Sequence, residues 1–361
     1  MSAATTRVAA EALRGLVARL FVAAGLPAGT AQAVADGLVD AELEGTSSHG
    51  VMLVDLYLGR IREGSVSTHA AGTIVSDRGA AVVLDAGHAL GQPTADQAMA
   101  LAVERAKRLG AGVVAVRHGF HFGAARRYAL QAALADCVGI VACNTRPLMP
   151  APGGAARVVG NNPLAIAVPS DGAIPIVLDM ATSEAAMGRI RMAAKAGRAI
   201  PAGWAVAADG TPTTEPAAAI AGMLLPAAGP KGFGLAFVLD LMCGLLSGGA
   251  SGDAVRPLYG DHEAPYDCSH LFIAIDVAHF ADPRQFKAAA AAAAERVRHG
   301  ARAPGVARLY APGEIEWQRR SDAQGEVQLE ASVVAMLTAA ARALGVSALP
   351  LTHDNEAGHA P

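Results

Sequence analysis

Two histidine-bearing segments hold residue types that suit proton transfer near neutral pH. The first runs from Thr46 to Gly50 and places Ser48 directly before His49. The unperturbed pKa of histidine lies nearest neutrality, and a neighbouring serine hydroxyl can orient the imidazole or relay its proton. An isolated Ser-His-Gly is more often a helix-capping turn with an incidental histidine. The pair is therefore a catalytic candidate that needs support from elsewhere in the chain.

The second segment, residues 117–125, follows a short apolar run typical of a buried strand and precedes a helical pattern. Backbone N–H groups point outward at such a turn and can bind phosphate. Three side chains that can carry positive charge, Arg117, His118 and His121, would add to the attraction. The alternative is a polar strand-to-helix turn without a ligand, and these residues alone favour neither.

Three further polar segments lie beside predicted strand or helix ends. They are the glycine- and asparagine-rich stretch 153–163, the turn 179–183, and Lys231 among glycines. Glycines let a ligand approach the backbone, amides donate and accept hydrogen bonds, and a lysine at a helix start can meet a phosphate. Each segment also has an ordinary explanation, namely a surface loop, an aspartate that caps a helix, and a solvated lysine.

Hydrophobic periodicity predicts the elements that must position these residues. Helices are predicted over residues 5–44, with a break at 25–27, and over 51–61, 94–109, 124–136, 183–197, 231–249, 283–300 and 330–344. Thr182 or Ser183 is expected to cap the 183–197 helix, and the 231–249 helix is expected to be buried. Strands are predicted on both sides of a turn at 77–79 and at 111–119, 138–145, 165–170, 175–180 and 271–277. This mixture indicates an α/β protein, and the absence of G-x-G-x-x-G after a first strand argues against a Rossmann fold.

Composition and charge exclude several classes of function. A net charge of −3 leaves no polycationic surface for nucleic acid. The longest apolar stretch contains Asp240 and is broken by glycine, so no membrane span is expected. None of the eleven histidines lies in a metal-binding pattern, and a dedicated metal site is not expected.

The N-terminus and the cysteines indicate a cytoplasmic protein. Charged residues interrupt the first apolar positions, so no signal-peptide core is present; a mitochondrial targeting helix is the alternative explanation of this arginine-containing segment. The four cysteines form no C-x-x-C pair and are expected to be buried thiols in a reducing compartment.

Seven segments together resemble the type-2 malate/L-lactate dehydrogenase family, in the family's order and at its usual spacing. They are SSHGV, HFGAA, GNNPLAIAVP, LDMATS, IRMAAKAGRAIPAGWAVAADGTPTTEP, GPKGFGLA and APGE. The separation of His49 and His121 by 72 positions (121 − 49) also fits. The resemblance extends over nearly the whole chain.

The resemblance implies a mixed α/β, non-Rossmann fold. A largely helical lobe would come from both chain ends, residues 1–72 with 322–361, and residues 73–321 would form the NAD(P)-binding catalytic core. It also implies a homodimer.

The resemblance further implies roles for single residues. Ser48 and His49 would form the proton relay, although in some members the histidine that corresponds to His121 is the catalytic base. The sequence does not decide between the two histidines, nor between NAD and NADP. The implied cofactor contacts are His121, Phe122, Gly123, Ala124, Ala125, Asp179, Met180, Ala181, Lys231, Pro312, Gly313 and Glu314.

Three positions depart from the family pattern. The arginine that many members carry four residues after the catalytic histidine is Leu53, which removes a bidentate carboxylate clamp. This is similar to hydroxycarboxylate dehydrogenase B and implies a larger, more apolar substrate pocket. Asn161 replaces the usual threonine and Pro230 the usual histidine. The arginines that could hold the carboxylate instead are Arg126, Arg146 and Arg189.

The resulting hypothesis is an oxidoreductase that interconverts 2-keto and 2-hydroxy acids, including bulky or apolar ones, by hydride transfer with NAD or NADP. Substrate contacts are expected at Leu53, Asn161 and Arg189. One alternative is a cyclic-imine reductase, which is disfavoured because Arg189 stands where those reductases have an aspartate. The other alternative is a nucleotide-binding homologue without catalytic activity.

Overall fold

A computed structural model describes residues 5–69 and 71–348. The α-helices in this part of the chain are α1 Ala10–Ala23, α2 Ala28–Leu43, α3 Val54–Arg62, α4 Gly91–Leu109, α5 Arg126–Leu134, α6 Met187–Lys195, α7 Pro216–Ala221, α8 Pro230–Ser247, α9 Pro283–Arg298, α10 Glu314–Asp322 and α11 Ala331–Ala343. The strands are β1 Thr5–Ala9, β2 Thr73–Arg78, β3 Ala81–Asp85, β4 Ala111–Gly119, β5 Cys137–Cys143, β6 Met149–Pro150, β7 Arg157–Val159, β8 Leu164–Val168, β9 Ile176–Met180, β10 Ala205–Val206, β11 Pro212–Thr213, β12 Met223–Leu224, β13 Cys268–Asp276 and β14 Glu326–Glu330.

A seven-stranded mixed sheet forms the centre of the molecule, in the order β2-β3-β4-β13-β5-β8-β9. β3 and β4 are parallel, whereas β13 runs antiparallel to both β4 and β5, and β8 runs antiparallel to both β5 and β9. Consequently β3, β4, β5 and β9 all point the same way and end at one edge of the sheet. The mixed sheet confirms the predicted α/β, non-Rossmann fold.

Helices cover both faces of this sheet. α4 and α5 pack on one face through small side chains, and α8 packs on the other against β4, β5 and β13. Close approach depends on glycine at Gly112 and Gly139, where a Cβ would collide with the carbonyl oxygens of Ala102 in α4 and Ala129 in α5. The alanine-rich composition therefore allows helices to lie close to the sheet, which fixes the loops at its edge.

The two ends of the chain meet. β1 pairs antiparallel with β14, from Thr5 with Glu330 to Ala9 with Glu326. α1, α2, α3 and α11 contribute to the same hydrophobic core. The helix predicted from residue 5 is wrong over residues 5–9, because this segment has a strand partner more than 300 positions away. The boundaries of the lobe formed by 1–72 with 322–361 stay a prediction, and residues 1–4, 70 and 349–361 lie outside the described part.

Two other predictions require correction. The helix expected from residue 183 begins at Met187 and is preceded by Ala186, so neither Thr182 nor Ser183 caps it. α8 is buried on one face only, and its outer face exposes six large apolar side chains: Leu235, Phe237, Val238, Leu241, Leu245 and Leu246. By length and composition, α8 is the one helix in the described residues that could cross a membrane.

The four cysteines are confirmed as buried free thiols, at Cys137, Cys143, Cys243 and Cys268.

Candidate active site

The carboxyl edge of the central sheet gathers the predicted site segments. His121 follows the end of β4, Thr145 and Arg146 follow the end of β5, and β9 ends in Asp179-Met180. Asn161 precedes β8, whose start lies beside the end of β5. Sheet topology therefore brings together segments that are far apart in sequence.

A short 3₁₀ turn, Ser47–His49, holds the first histidine at this edge. The Oγ of Ser48 lies 3.1 Å from Nδ1 of His49. Behind the turn, a carboxylate oxygen of Glu42 accepts the backbone N–H of Val51 at 2.9 Å. A Cβ at Gly50 would collide with the Glu42 carboxylate, so glycine is needed for this approach. The turn is thus held in place by α2, which carries Glu42.

His121 lies against His49. The two imidazole rings are stacked, with centroids 5.4 Å apart and planes inclined by 20°. Nδ1 of His121 lies 2.7 Å from the hydroxyl of Tyr57, and Nε2 of Gln92 donates to that hydroxyl at 3.3 Å. The structure brings the two candidate histidines into one site, as the resemblance implied.

The hydroxyl of Tyr57 occupies one ring nitrogen of His121. Tyr57 is fully buried, and burial raises the pKa of its hydroxyl, which therefore keeps its proton. The hydroxyl accepts from Gln92 and lies within hydrogen-bonding distance of both Nδ1 and the carbonyl oxygen of His121. With Nδ1 bonded to Tyr57, Nε2 is the nitrogen of His121 that can meet a ligand oxygen.

Both histidines are held neutral near pH 7. Burial lowers the pKa of His121 to about 3, and the neighbouring His49 and His270 add to the effect. Burial also lowers the pKa of His49. Neutral imidazoles are suited to accept a proton from an alcohol or to donate a hydrogen bond, the two roles that carbonyl–alcohol chemistry needs.

Several groups of the β4–α5 turn already have partners within the chain. Arg117 and His118 both contact the carboxylate of Asp85, at 3.0 and 2.9 Å. The first N–H groups of α5, from residues 126–128, are bonded to a carboxylate oxygen of Asp179 and to the carbonyls of residues 124 and 125. A phosphate bound to residues 126–128 would have to displace those bonds, and the expected phosphate contact at this turn stays a prediction.

The remaining predicted cofactor residues differ in which backbone or side-chain groups they can offer to a cofactor. The ring of Phe122 is buried against other aromatic rings, so only its backbone is available. Gly123 has φ of 79°, and Ala124 and Ala125 lead into α5. Lys231 is exposed in the first turn of α8. The Nζ of Lys231 is thus a cation available for a dinucleotide phosphate.

The turn at 312–314 lies against the start of β9. The carbonyl of Pro312 accepts the N–H of Val177 at 3.0 Å, and Gly313 has φ of 91°. The carboxylate of Glu314 is buried and bonded to Arg298 and to the N–H of Ala311. Glu314 therefore fixes the turn, and a cofactor would meet the turn through its backbone.

Met180 and Ala181 continue from β9, and the buried Thr182 donates its N–H to the carbonyl of Asn161. The backbone of 179–181 lies at the carboxyl edge, the 312–314 turn lies beside the start of the same strand, and Lys231 supplies positive charge at the start of α8. Such backbone turns and a lysine fit a nicotinamide dinucleotide. Residues 5–69 and 71–348 contain no group of three or more His, Cys, Asp or Glu side chains that could hold a metal.

The predicted substrate residues have unequal positions. Leu53 is 1% exposed and packed in the hydrophobic core, which corrects the expectation that it lines the substrate pocket. Arg189 lies exposed on α6. Asn161 is half-buried, and its Oδ1 accepts from the hydroxyl of Thr145 at 3.1 Å, which leaves its amide N–H₂ to donate elsewhere.

Tyr57, Gln92 and Gly91 were not predicted as site residues. Tyr57 lies within a helical pattern in which a buried polar residue resembles any other core position, and Gln92 and Gly91 precede the helix predicted over 94–109. A Cβ at Gly91 would collide with the carbonyl oxygens of Phe120 and His121. The glycine itself, three residues before the predicted helix, was the available signal.

A cavity of about 370 Å³ lies between α2, α5 and α10, on the outer side of the 122–124 backbone. Its lining includes Glu44, Arg127, Trp317 and Arg320, but neither His49 nor His121. The histidine pair is thus a separate feature of the sheet edge.

Fold and site together define an oxidoreductase-type site with paired neutral histidines. The family model of malate/L-lactate dehydrogenase matches residues 8–338. The chain belongs to this family.

Relatives and solved structures agree with this membership. Malate dehydrogenase of Pyrococcus abyssi is 34% identical over 85% of this chain and 86% of its own. The structure of sulfolactate dehydrogenase from Methanocaldococcus jannaschii superposes with a TM-score of 0.90, at 32% identity, covering 95% of this chain and 98% of that one. Delta1-piperideine-2-carboxylate reductase of Pseudomonas syringae has a TM-score of 0.83 at 27% identity, covering 93% and 100%.

Two relatives differ in the cofactor that their names give. Ureidoglycolate dehydrogenase (NAD(+)) of Escherichia coli is 34% identical over 88% of this chain and 91% of its own. (2R)-3-sulfolactate dehydrogenase (NADP(+)) of Chromohalobacter salexigens is 36% identical over 79% and 86%. Both nicotinamide cofactors therefore occur among the relatives of this chain.

Proposed function

We propose that this protein is an NAD(P)-dependent oxidoreductase that interconverts a 2-keto acid and a 2-hydroxy acid. The observation that carries the proposal is the stacked pair of neutral histidines, His49 backed by Ser48 and His121 backed by Tyr57, at the carboxyl edge of the sheet. Family membership supports the reaction class.

When bound, NAD or NADP would supply or accept the hydride at C2 of the acid. Neutral His49, oriented by Ser48, accepts the hydroxyl proton in the oxidative direction and returns it in the reductive direction. His121 donates from Nε2 to the same substrate oxygen, because its Nδ1 is occupied by Tyr57. Lys231 and the backbone of 179–181 and 312–313 would hold the dinucleotide.

An absorbance screen at the nicotinamide band tests this function. NADH and NADPH are each combined with 2-keto acids of increasing bulk, and oxidation of one cofactor by at least one acid is expected. Cofactor binding without turnover of any acid would instead show a nucleotide-binding homologue without catalytic activity. Leu53 is part of the core and cannot hold the substrate carboxylate as an arginine would. The panel therefore includes bulky and apolar 2-keto acids.

Reduction of a cyclic imine is a second candidate, supported by the structural similarity to the piperideine-2-carboxylate reductase. Arg189 at the position where such reductases carry an aspartate counts against it. The same screen with cyclic imines separates the two reactions, since faster turnover of the imine than of every keto acid would favour the second.

We further propose a cytoplasmic homodimer. The outer face of α8, defined by Leu235, Phe237, Val238, Leu241, Leu245 and Leu246, exposes 36–61% of each side chain. A continuous patch of large apolar side chains is unusual on a soluble monomer. The inner face of α8 is packed on the sheet, and Asp240 accepts the N–H of Gly252 at 2.9 Å. These contacts suit a second copy of the chain better than lipid.

A further inference from the structure

We infer that Arg146 holds the carboxylate of the substrate, in place of the arginine that is missing at position 53. This inference rests on the proposed function, because it assumes a 2-keto or 2-hydroxy acid at the histidine pair. It assigns the acid's anionic end to the loop after β5.

The sheet places Arg146 on the correct side of the site. β4 and β5 are parallel and flank β13, whose residue His270 pairs with Val116 on one side and Cys143 on the other. Adjacent strands lie about 4.8 Å apart, so the ends of β4 and β5 are separated by about 10 Å. His121 follows the first end and Arg146 the second, a separation that a small acid and two side chains can span.

Aromatic contacts connect the two positions. The hydroxyl of Tyr57, which bonds His121, belongs to a ring that meets Phe120 edge-on at 5.2 Å. Phe120 meets Tyr266 edge-on at 6.0 Å, and Tyr266 is buried. Tyr266 in turn is close enough to Arg146 to affect its charge. Arg146 thus borders the same aromatic wall that supports His121.

Arg146 is the half-buried candidate whose guanidinium has no acidic neighbour. Arg126 is buried with Glu44 and Glu316 at 3.6 and 3.8 Å, so two carboxylates already balance its charge although its Nε and Nη1 make no hydrogen bond. Arg189 has no such pair either, but it is exposed to solvent. Arg146 is half-buried, and within residues 5–69 and 71–348 its side chain makes no hydrogen bond or ion pair. A partly buried cation without a partner is costly, and a bound carboxylate would relieve that cost.

The surrounding charge also favours an anion. Burial lowers the pKa of Arg146, and the nearby positive charges of Arg157 and Arg191 act in the same direction. Arg157 donates to the carbonyls of residues 221 and 222, and Arg191 lies 5.5 Å from the ring of Tyr259. Arg146 nevertheless stays cationic at neutral pH, as arginine does in proteins.

Asn161 completes the subsite. The hydroxyl of Thr145, which precedes Arg146, lies 3.1 Å from Oδ1 of Asn161 and 3.2 Å from Oδ1 of Asn162, so Asn161 lies beside the loop that carries Arg146. In the part of the chain that the structure describes, the side-chain N–H₂ of Asn161 makes no hydrogen bond. A guanidinium and an amide donor from adjacent loops match the two oxygens of a carboxylate. The acid is therefore held between Arg146 and Asn161 at one end and the histidines at the other.

The test compares an acid with a neutral isostere. Oxamate, an unreactive 2-keto acid mimic, and oxamide, its uncharged diamide, are titrated into the enzyme–NADH or enzyme–NADPH complex by calorimetry. We expect the native protein to bind oxamate about 100-fold more tightly than oxamide, Arg146→Gln to lose that preference, and Arg146→Lys to keep part of it. Arg296→Gln, at an exposed arginine of α9, is the matched control and should behave as the native protein does.

Turnover of the best keto acid gives the second measurement. Arg146→Gln should raise KM about 100-fold with kcat changed far less, since the carboxylate is bound alike in ground and transition states. Cofactor affinity should be unchanged. The inference is overturned if Arg146→Gln keeps the preference for oxamate, if Arg296→Gln loses it, or if the native protein has none. Oxamate binding through Arg146 without turnover would overturn the proposed function alone.

Discussion

His49 and His121 are close enough to share one substrate oxygen, so their separate roles can be resolved by substitution. Replacing His49 by Asn should lower kcat by about 10²–10⁴-fold if His49 moves the proton, whereas His121→Asn should then cost less. Single-turnover rates show the loss, and fluorescence titration of NADH or NADPH should show unchanged cofactor affinity. Full activity of His49→Asn would transfer the acid–base role to His121.

Tyr57 acts through His121 and is a positioning residue. Tyr57→Phe keeps the ring packing against Phe21 and Phe120 but removes the donor to Nδ1 of His121. The loss of one buried hydrogen bond should lower kcat about tenfold with little change in KM. Tyr128→Phe is the matched control, because that hydroxyl is also buried and bonds the carbonyl of Phe122. If kcat falls equally for Tyr128→Phe and Tyr57→Phe, the loss reflects disturbed packing around buried hydroxyls and not a specific effect on His121.

The lowered pKa values of the histidines predict the acid side of the pH profile. A base must be neutral to accept the hydroxyl proton, and a lowered pKa means that protonation occurs only below the ordinary value of 6.5. For oxidation of the hydroxy acid, kcat/KM should therefore stay level as the pH falls to 6.5 and decline only below it. With His121 as the base, the decline should approach pH 3. A decline already complete by pH 7 would contradict this.

At the scale of elements, the contact between α4 and the His121 segment controls the geometry of the site. Gly91 begins α4, and Gly91→Ala would push its Cβ into the carbonyls of Phe120 and His121. We expect a lower kcat and a lower melting temperature. Gly188→Ala is the control: it also lies in the first turn of a helix, with nothing within 4 Å of the added Cβ. Equal effects of the two substitutions would refute the argument.

Elements with a strong local pattern could be predicted from the sequence. The apolar run at 111–119 forms β4, and the periodic segment up to Leu109 forms α4. β1 could not be predicted, since five residues beside a helix carry no period of their own and the pairing with β14 is entirely long-range. The start of α6 was misplaced because Thr182 and Ser183 are good caps, but Thr182 is instead bonded to Asn161.

Sequence motifs identified several candidate residues of the site, but not the contacts that these residues make. His49 and His121 stand in recognisable segments; His121 follows a strand of the sheet, and the turn after α2 packs His49 against it. The unpaired state of Arg146 and the pairing of Arg126 with Glu44 and Glu316 depend on which helices pack over the edge. No spacing along the chain contains that information, so the three candidate arginines could not be ranked from the sequence.

At the scale of the whole molecule, the proposed homodimer has its interface on the outer face of α8. Two copies that bury this face would remove six large apolar side chains from water, which is the main favourable term in association. Light scattering of the native protein at micromolar concentration should therefore give a mass of twice 36.4 kDa. Leu245→Glu with Leu246→Glu should shift the mass to that of one chain, because each buried carboxylate would lack a partner.

The control for this prediction is another exposed leucine. Leu134 at the end of α5 is 79% exposed, and Leu134→Glu should leave the mass unchanged if the α8 face alone is the interface. Circular dichroism establishes that both variants are folded. A native protein with the mass of one chain would contradict the dimer. A double variant that stays dimeric would show that the interface lies outside the α8 face. Since α8 also carries Lys231, loss of the dimer should weaken cofactor binding if the partner copy steadies the helix.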